Sequence, residues 1–260
     1  MRALSHEDGE ALRQAKCLLE HPSLAAKITR ILGIPIEKGV ALLPTTWSEG
    51  VNDATSAALE RAVNVALLTM DDTGIRASSN RMHKLAVSAA GAAGGLFGLP
   101  ALAVELPVST TVILRSIADI ARSEGERLTS PEAKLACLEV FAFGGPSPGD
   151  HATKTGYFAI RASLARAVSE AARHIARKGV AQEGAPAIVR FLTQVASRFG
   201  VAVSEKLAAQ AVPLIGAMGG ALINGVFMDH FQDIARGHFI IRRLERTYDP
   251  ELIKSAYEQC

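Results

Sequence analysis

The chain has 260 residues, of which 48% are hydrophobic and 5% aromatic, and its formal net charge at pH 7 is +2. This length is enough to bury one large hydrophobic core or two small ones, so folding requires neither a disulfide nor a metal. The slight positive charge comes without a concentrated basic face or a reading motif, which argues against a nucleic-acid partner.

The cysteines and the N-terminal residues predict a cytoplasmic protein. Cys17, Cys137 and Cys260 form no paired spacing, which is typical of buried or terminal thiols in a reducing compartment. The first twenty residues carry acidic side chains among short apolar groups, so a signal peptide is not expected.

Turn signals divide the first part of the chain into helices. Proline and glycine punctuate residues 1–47, and this pattern predicts several short helices there. Ser48 opens a longer helix that we expect to end near Met70, because apolar side chains recur in it at steps of three and four.

Residues 85–104 are a first stretch without charged side chains, LAVSAAGAAGGLFGLPALAV. Gly91 and Gly95, together with Gly94 and Gly98, form two offset G-x-x-x-G pairs. This spacing places bare backbone on one helical stripe, which lets another helix approach closely.

Glu105 follows this stretch and is flanked by Leu106 and Pro107, of which the proline is expected to kink or break the helix. A carboxylate in such apolar sequence has to pair with a cation, for example Arg115, or have its pKa raised by desolvation. This buried acid is therefore part of a structural ion pair or of a functional proton or metal site. The helix is expected to continue to about Arg122.

A loop is predicted at residues 144–149, GGPSPG, between two helices. The helix before it begins at Ser130-Pro131-Glu132, where a capping serine precedes a proline in the first turn, and runs to about Phe143. A later helix is expected to end near Phe199-Gly200.

Polar residues after this loop form a candidate anion-binding group, Asp150, His151, Tyr157 and Arg161. A helix N-terminus holds an anion with backbone amides, and Arg161 could add a bidentate contact. The alternative is a turn followed by a helix cap, because no Lys-Ser/Thr follows GGPSPG and no strand precedes it, as a phosphate-binding loop requires.

Residues 207–228 are a second stretch without charge, LAAQAVPLIGAMGGALINGVFM, in which Gly216 and Gly220 again give a four-residue step of small residues. Four arginines follow it at positions 236, 242, 243 and 246. The apolar part of this helix is therefore followed by a basic segment.

The fold class is predicted to be all-α. No strand pattern of convincing length is present, and an aromatic-poor, alanine-rich composition favours thin helices that pack closely. We expect a multi-helix bundle around two Gly/Ala-rich apolar helical hairpins or central helices. It forms a single domain over residues 1–260, with short helices at 1–47 and the main bundle at 48–260.

The two charge-free stretches allow three interpretations. Both have the roughly 20 residues that a bilayer core requires, but alanine and glycine contribute little transfer free energy and each stretch contains a proline. They form buried core helices, a hairpin that docks on a membrane conditionally, or constitutive spans. Arg76, Arg81 and Lys84 before the first stretch, and the arginines after the second, favour docking on anionic lipid.

The densest polar cluster, Asp229, His230, Asp233 and His238, follows the second stretch, and the first three are the candidate metal ligands. His230 and Asp233 share a helical face, and imidazole with carboxylate suits zinc or iron, so a divalent metal cofactor is one hypothesis. The alternative is a polar helix end paired with Arg236 and Arg242. Hydrolase motifs such as G-x-S-x-G and H-E-x-x-H are missing, which argues against an enzyme.

Four blocks of the sequence resemble the EcsC family. They are LEHPSLAAKI with GIPIEKG within 19–39, the glycine-rich block with ELP within 76–126, GGPSPGDHATKTGYFAIRA at 144–162, and the block at 212–246 that contains GHFIIRRLER. The family takes its name from a protein encoded beside an ABC exporter. The resemblance therefore implies a bacterial protein linked to membrane or secretion physiology, with membrane lipid or a membrane protein such as a transporter component as its partner.

The sequence leaves three functions open. The leading hypothesis is a non-catalytic, peripherally membrane-associated helical protein at the inner face of the membrane, which makes its contacts through Gly91, Gly95, Gly98, Gly216 and Gly220. The alternatives are a metal-dependent hydrolase with a His/Asp site and a soluble helical scaffold or interaction protein. A homo-oligomer is compatible with each of them.

Overall fold

Helices account for the regular structure of the part of the chain that the computed structural model describes, and no strand occurs in that part. The described residues are 4–20, 23–33, 47–69, 99–145, 156–178, 185–211 and 216–260. The predicted all-α, multi-helix class is confirmed. In chain order the helices are α1 (His6–Leu19), α2 (Leu24–Leu32), α3 (Trp47–Thr69), α4 (Leu99–Ser123), α5 (Pro131–Phe143), α6 (Gly156–Lys178), α7 (Pro186–Gln210), α8 (Gly216–Thr247) and α9 (Pro250–Gln259).

Local sequence signals set several helix ends. Ser23 and Ser130 cap α2 and α5 by accepting a hydrogen bond from a first-turn N–H, and Asp249 caps α9 in the same way. Gly33 and Gly125, which follow α2 and α4, have φ angles of 67° and 81°. Glycine adopts this left-handed backbone without the steric cost that a Cβ would add, so both helices end there.

Two predicted helix breaks do not occur. α4 continues through Pro107, and α7 continues through Gly200 to Gln210. Proline removes one backbone donor and glycine costs about 1 kcal/mol in a helix interior, but packing on both sides of each residue outweighs these local terms. Gly200 is buried against α3, where a Cβ would lie 3.5 Å from Asn52 Oδ1.

Helix α8 is the centre of the bundle. It is 32 residues long and packs against α1, α2, α4, α5, α7 and α9. At its middle, the Phe231 ring lies 5.3 Å from Phe141 of α5, 5.5 Å from Phe199 of α7 and 5.0 Å from Phe227, measured between ring centroids. Tilted and edge-on aromatic contacts at this distance stabilise a core beyond the burial of their area.

Long-range contacts fix the directions of the helices around α8. Along α4, Glu105 contacts Asn224 and Ser116 contacts Gln232, so α4 runs parallel to α8. Helix α7 runs antiparallel to α8, because Phe199 packs on Phe231 while Lys206, further along α7, lies over the ring of Phe227. The start of α4, the end of α7 and the start of α8 therefore lie at the same end of the bundle.

Close helix approach depends on glycines outside the two charge-free stretches. A Cβ on Gly237 of α8 would lie 2.7 Å from Leu19 Cγ and 3.0 Å from the Ala15 carbonyl oxygen of α1. A Cβ on Gly145 would lie 2.5 Å from the Arg198 carbonyl oxygen of α7. Real Cβ atoms essentially never lie within 2.7 Å of another residue's heavy atom, so α1 and α7 pack where they do because these two residues have no side chain.

The glycines predicted to make membrane or partner contacts are only partly described. Gly91, Gly95 and Gly98 lie outside the described residues. Gly216 begins α8, and Gly220 is buried in it. No helix in the described ranges is long and apolar enough to cross a membrane.

Candidate functional site

Three polar side chains meet at the end of the bundle where α4, α7 and α8 come together. Lys206 Nζ of α7 lies 2.7 Å from Glu105 Oε1 of α4, and Asn224 Nδ2 of α8 donates to the same oxygen at 3.0 Å. We call this part of the molecule the apolar end, because the two charge-free stretches run into it. It consists of residues 99–112, 203–211 and 216–228.

The ion pair at the apolar end is removed from solvent. The Lys206 side chain is fully buried and the Glu105 side chain is 7% exposed. Burial lowers the pKa of Lys206, while the charge and the hydrogen bond of Glu105 raise it. The Phe227 ring, 5.1 Å from Lys206 Nζ, adds a cation–π contact. Each charge is thus held by contacts that compensate for its lost hydration.

Glu105, the buried acid predicted from the sequence, is at this site, but its partner is not the predicted Arg115. Glu105 is 8% exposed and pairs with Lys206, whereas Arg115 is exposed. Arg115 lies ten residues further along α4 and on another face of the helix, so it cannot reach the carboxylate. Lys206 is 101 positions away in the chain, and the periodicity of one helix carries no information about that partner.

Two large apolar side chains at the apolar end are open to solvent. Val108 is 50% exposed and lies one turn after Glu105, and Leu222 is 46% exposed and lies two residues before Asn224. In the described part of the chain, Ile31 and Val189 are the other large apolar side chains with comparable exposure. The apolar end therefore combines a buried ion pair with exposed aliphatic surface.

The structure does not bring Asp229, His230 and Asp233 together as metal ligands. His230 Nε2 lies 2.7 Å from the Gly144 carbonyl oxygen, which can only accept, so this nitrogen carries the proton. Asp233 is paired with Lys27 at 3.1 Å and with Arg236 at 3.0 Å. Among the described residues, no group of three or more His, Cys, Asp or Glu side chains is placed to hold a metal ion.

The predicted anion-binding group is divided. Asp150 and His151 lie outside the described residues. Arg161 forms a bidentate ion pair with Glu245, at 2.8 and 2.9 Å, so its charge is already neutralised within the chain. Arg161 also donates to the Tyr157 oxygen at 3.4 Å, which leaves the Tyr157 O–H to donate to His238 Nδ1 at 2.8 Å.

These contacts join sequence blocks that are far apart in the chain, and each reaches α8. Lys27 binds Asp233, Tyr157 binds His238 and Glu105 binds Asn224. The sequence model of the EcsC protein family matches residues 10–244, a range that contains all of these side chains. The chain belongs to the EcsC family. No curated protein and no solved structure matches it.

A second buried acid of this EcsC-family chain was not singled out from the sequence. Glu139 of α5 is 6% exposed and makes no hydrogen bond or ion pair with the residues that the structure describes. Burial raises its pKa to about 7, against the attraction of Arg161 and Arg242. The available signal was the same as for Glu105, namely one acidic residue inside an apolar helical run.

The arginines after the second charge-free stretch do not form a free basic flank, contrary to the expectation. Arg242 pairs with Glu126 at 2.8 Å and Arg243 pairs with Glu124 at 2.9 Å, while Arg246 also binds Glu126. Arg236 is paired with Asp233. Arg242, Arg243 and Arg246 therefore connect the segment that follows α4 to α8, whereas the pair of Arg236 lies within α8. Arg76, Arg81 and Lys84 lie outside the described residues.

Proposed function

We propose that this EcsC-family chain is a non-catalytic helical protein that docks peripherally on a membrane, or on a membrane protein such as a transporter component, through its apolar end. The observation that carries the proposal is the contact of Glu105 with Lys206 and Asn224. It brings the adjoining ends of both charge-free stretches to one side of the molecule.

Two stretches at one end support docking better than one stretch alone. Each is rich in alanine and glycine, so each contributes little transfer free energy per residue. A single weak anchor gives marginal, reversible membrane binding, whereas two anchors that engage together add their free energies. Val108 and Leu222 add exposed aliphatic side chains at the same end of the bundle.

The buried ion pair supports a stable geometry for this end. Lys206 and Glu105 would be costly to expose singly, because separating them leaves an uncompensated charge in an apolar environment. They therefore keep the ends of α4, α7 and α8 in register while the neighbouring surface contacts lipid. The glycines at 91, 95, 98 and 216 would provide the close-approach stripe for a partner helix, whereas Gly220 is already buried within the bundle.

Flotation with liposomes, with and without anionic lipid, tests the proposal. The wild-type chain should float, and the variant Val108→Glu with Leu222→Glu should stay in the dense fraction. Burying each aliphatic side chain contributes about 1.5–3 kcal/mol, and a carboxylate reverses the sign of that term. Val189→Glu is the matched control, since Val189 is equally exposed but lies near the other end of α7.

The outcomes distinguish membrane lipid from a membrane protein as the partner. Wild-type protein that stays in the dense fraction with both lipid mixtures at low salt contradicts direct lipid binding. If it nevertheless sediments with native membranes, and protease treatment of those membranes abolishes the binding, the partner is a membrane protein. Equal loss of binding in Val189→Glu would show that docking does not use the apolar end.

A further inference from the structure

A cleft of about 290 Å³ lies between the second half of α6 and the first turns of α7. It is distant from the apolar end, because Arg190 in the cleft and Lys206 are 16 residues apart on α7, which corresponds to about 24 Å along the helix. Its lining consists of Glu170, Arg173, His174, Arg177, Ala187 and Arg190.

The charge of the cleft is positive and its single acid is already occupied. Glu170 accepts a hydrogen bond from Arg166 Nε at 2.9 Å, and Arg190 Nη2 lies 3.1 Å from its other oxygen. Glu170 is therefore balanced by Arg190 together with Arg166. The remaining cations of the lining are Arg173 and Arg177. Arg173 helps to lower the pKa of Glu170 without forming an ion pair with it, and Arg177 has no acidic partner in the part of the chain that the structure describes.

The unoccupied donors of the lining point to a ligand with several acceptor oxygens. Arg173 uses its Nε to donate to the Ser169 carbonyl oxygen at 3.1 Å, which leaves both terminal nitrogens free. Arg177 makes no hydrogen bond or ion pair with any described residue. His174 Nε2 is shielded from solvent and has no hydrogen-bond partner within the described ranges. These three side chains come from neighbouring positions of α6, and Ala187 brings the first turn of α7 to the same cleft.

We propose that this cleft binds a phosphate-type anion. A guanidinium presents parallel N–H donors that match two phosphate oxygens, and two such groups on one helix can hold one tetrahedral anion. The positive end of the α7 dipole acts in the same direction. In the empty cleft the like charges repel one another, so an anion relieves that repulsion as it binds. The volume is large enough for a small phosphate ester and not only for a bare ion.

Titration calorimetry with inorganic pyrophosphate at constant ionic strength tests the site. The wild-type chain should show one saturable site. Arg173→Gln with Arg177→Gln should weaken binding by about 100-fold, since each charge-assisted contact corresponds to about tenfold in affinity. Arg61→Gln with Arg127→Gln is the control. Both arginines are exposed and lie outside the cleft, and their substitution removes the same net charge as the cleft variant. Their variant should bind within about twofold of wild type.

Absence of saturable binding, or equal weakening by both pairs of substitutions, would overturn the proposal. Unchanged far-UV circular dichroism and Tm of each variant show that the fold is intact. A second arm uses vesicles that contain phosphatidic acid. If the cleft variant loses pyrophosphate binding and vesicle binding together, the natural ligand is a lipid headgroup, and if it loses only pyrophosphate binding, the ligand is soluble. The result is independent of docking through the apolar end, which the Val108 and Leu222 substitutions test.

Discussion

Two buried carboxyl groups of this chain differ in whether a cation lies within hydrogen-bonding distance. Glu105 is fixed by Lys206 and Asn224. Glu139 has arginines in its surroundings, yet it forms no ion pair with the described residues. Glu105 is therefore a buried charge that its partners compensate, whereas Glu139 is a buried carboxyl group that resists ionisation.

Lys206→Met tests the compensated pair. The substitution keeps the apolar stem and removes the charge, so Glu105 stays buried with Asn224 as its remaining partner. We expect the free energy of unfolding to fall by about 3–5 kcal/mol in a denaturant titration. The double variant Glu105→Gln with Lys206→Met should be more stable than Lys206→Met alone, because it removes the uncompensated charge. A cost below about 1 kcal/mol for the single variant would mean that the pair is solvated.

Glu139→Gln tests the group that resists ionisation. The pKa of Glu139 is raised from its ordinary value of 4.5 to about 7, so the folded state holds more protons than the unfolded state between these pH values. Stability from this residue therefore falls as pH rises through that window, by about 3 kcal/mol in total. Glutamine removes this dependence.

The measurement is the difference in unfolding free energy between Glu139→Gln and wild type at several pH values. It should increase from pH 5 to pH 8 in favour of the variant. Taking the difference is essential, because His230, whose pKa burial lowers to about 4, and Glu205, whose pKa burial raises to about 7, titrate in overlapping ranges. A difference that does not change with pH would show that Glu139 ionises normally in the folded chain.

At the scale of helices, local chemistry could be predicted and its tertiary partners could not. The start of α5 at Ser130 and Pro131 could be predicted, because helix capping depends on residues within one turn. The spacing of His230 and Asp233 correctly places both on one face of a helix. It does not show that Gly144 and Lys27 lie opposite them, since these contacts join residues separated by 86 and 206 positions. A metal site predicted from this spacing alone therefore overlooks the partners that already bind His230 and Asp233.

The same limit applies to the glycines. Spacing of four residues selects Gly216 and Gly220 as close-approach positions, whereas Gly237 has no glycine four residues before or after it and is recognised only by the atoms of α1 that face it. Glycine content shows where a helix can be approached. Which approach occurs depends on the whole packing arrangement.

Gly237→Ala tests the close approach of α1 to α8. The new methyl group would meet Leu19 and the Ala15 carbonyl oxygen, and relieving this overlap should cost about 1–3 kcal/mol of unfolding free energy. Gly50→Ala in α3 is the matched control. No atom lies within 4 Å of its Cβ position, so alanine there should stabilise the chain by about 0.5–1 kcal/mol. Thermal unfolding of both variants measures the opposite signs, and a stabilising Gly237→Ala would contradict this packing.

At the scale of the whole molecule, the connection of the peripheral helix α3 decides whether residues 1–260 behave as one domain. Helix α3 packs on α4, α5 and α7, and these three helices pack on α8. Among the described residues, α3 is therefore coupled to α8 through the packed side chains of these three helices.

A single-domain chain should unfold in one transition. Trp47, at the start of α3, is the only tryptophan, so fluorescence follows the unfolding of this helix, while far-UV circular dichroism reports on all helices. Buried residues of α3 such as Leu59 and Ala62 belong to the same hydrophobic core as Phe231 of α8, and separating them would expose apolar surface on both sides. We expect the two signals to give the same denaturant midpoint and the same slope. A fluorescence transition at clearly lower denaturant would mean that α3 opens as a separate unit, and that its packing on α4 and α7 is too weak to couple it to the centre of the bundle.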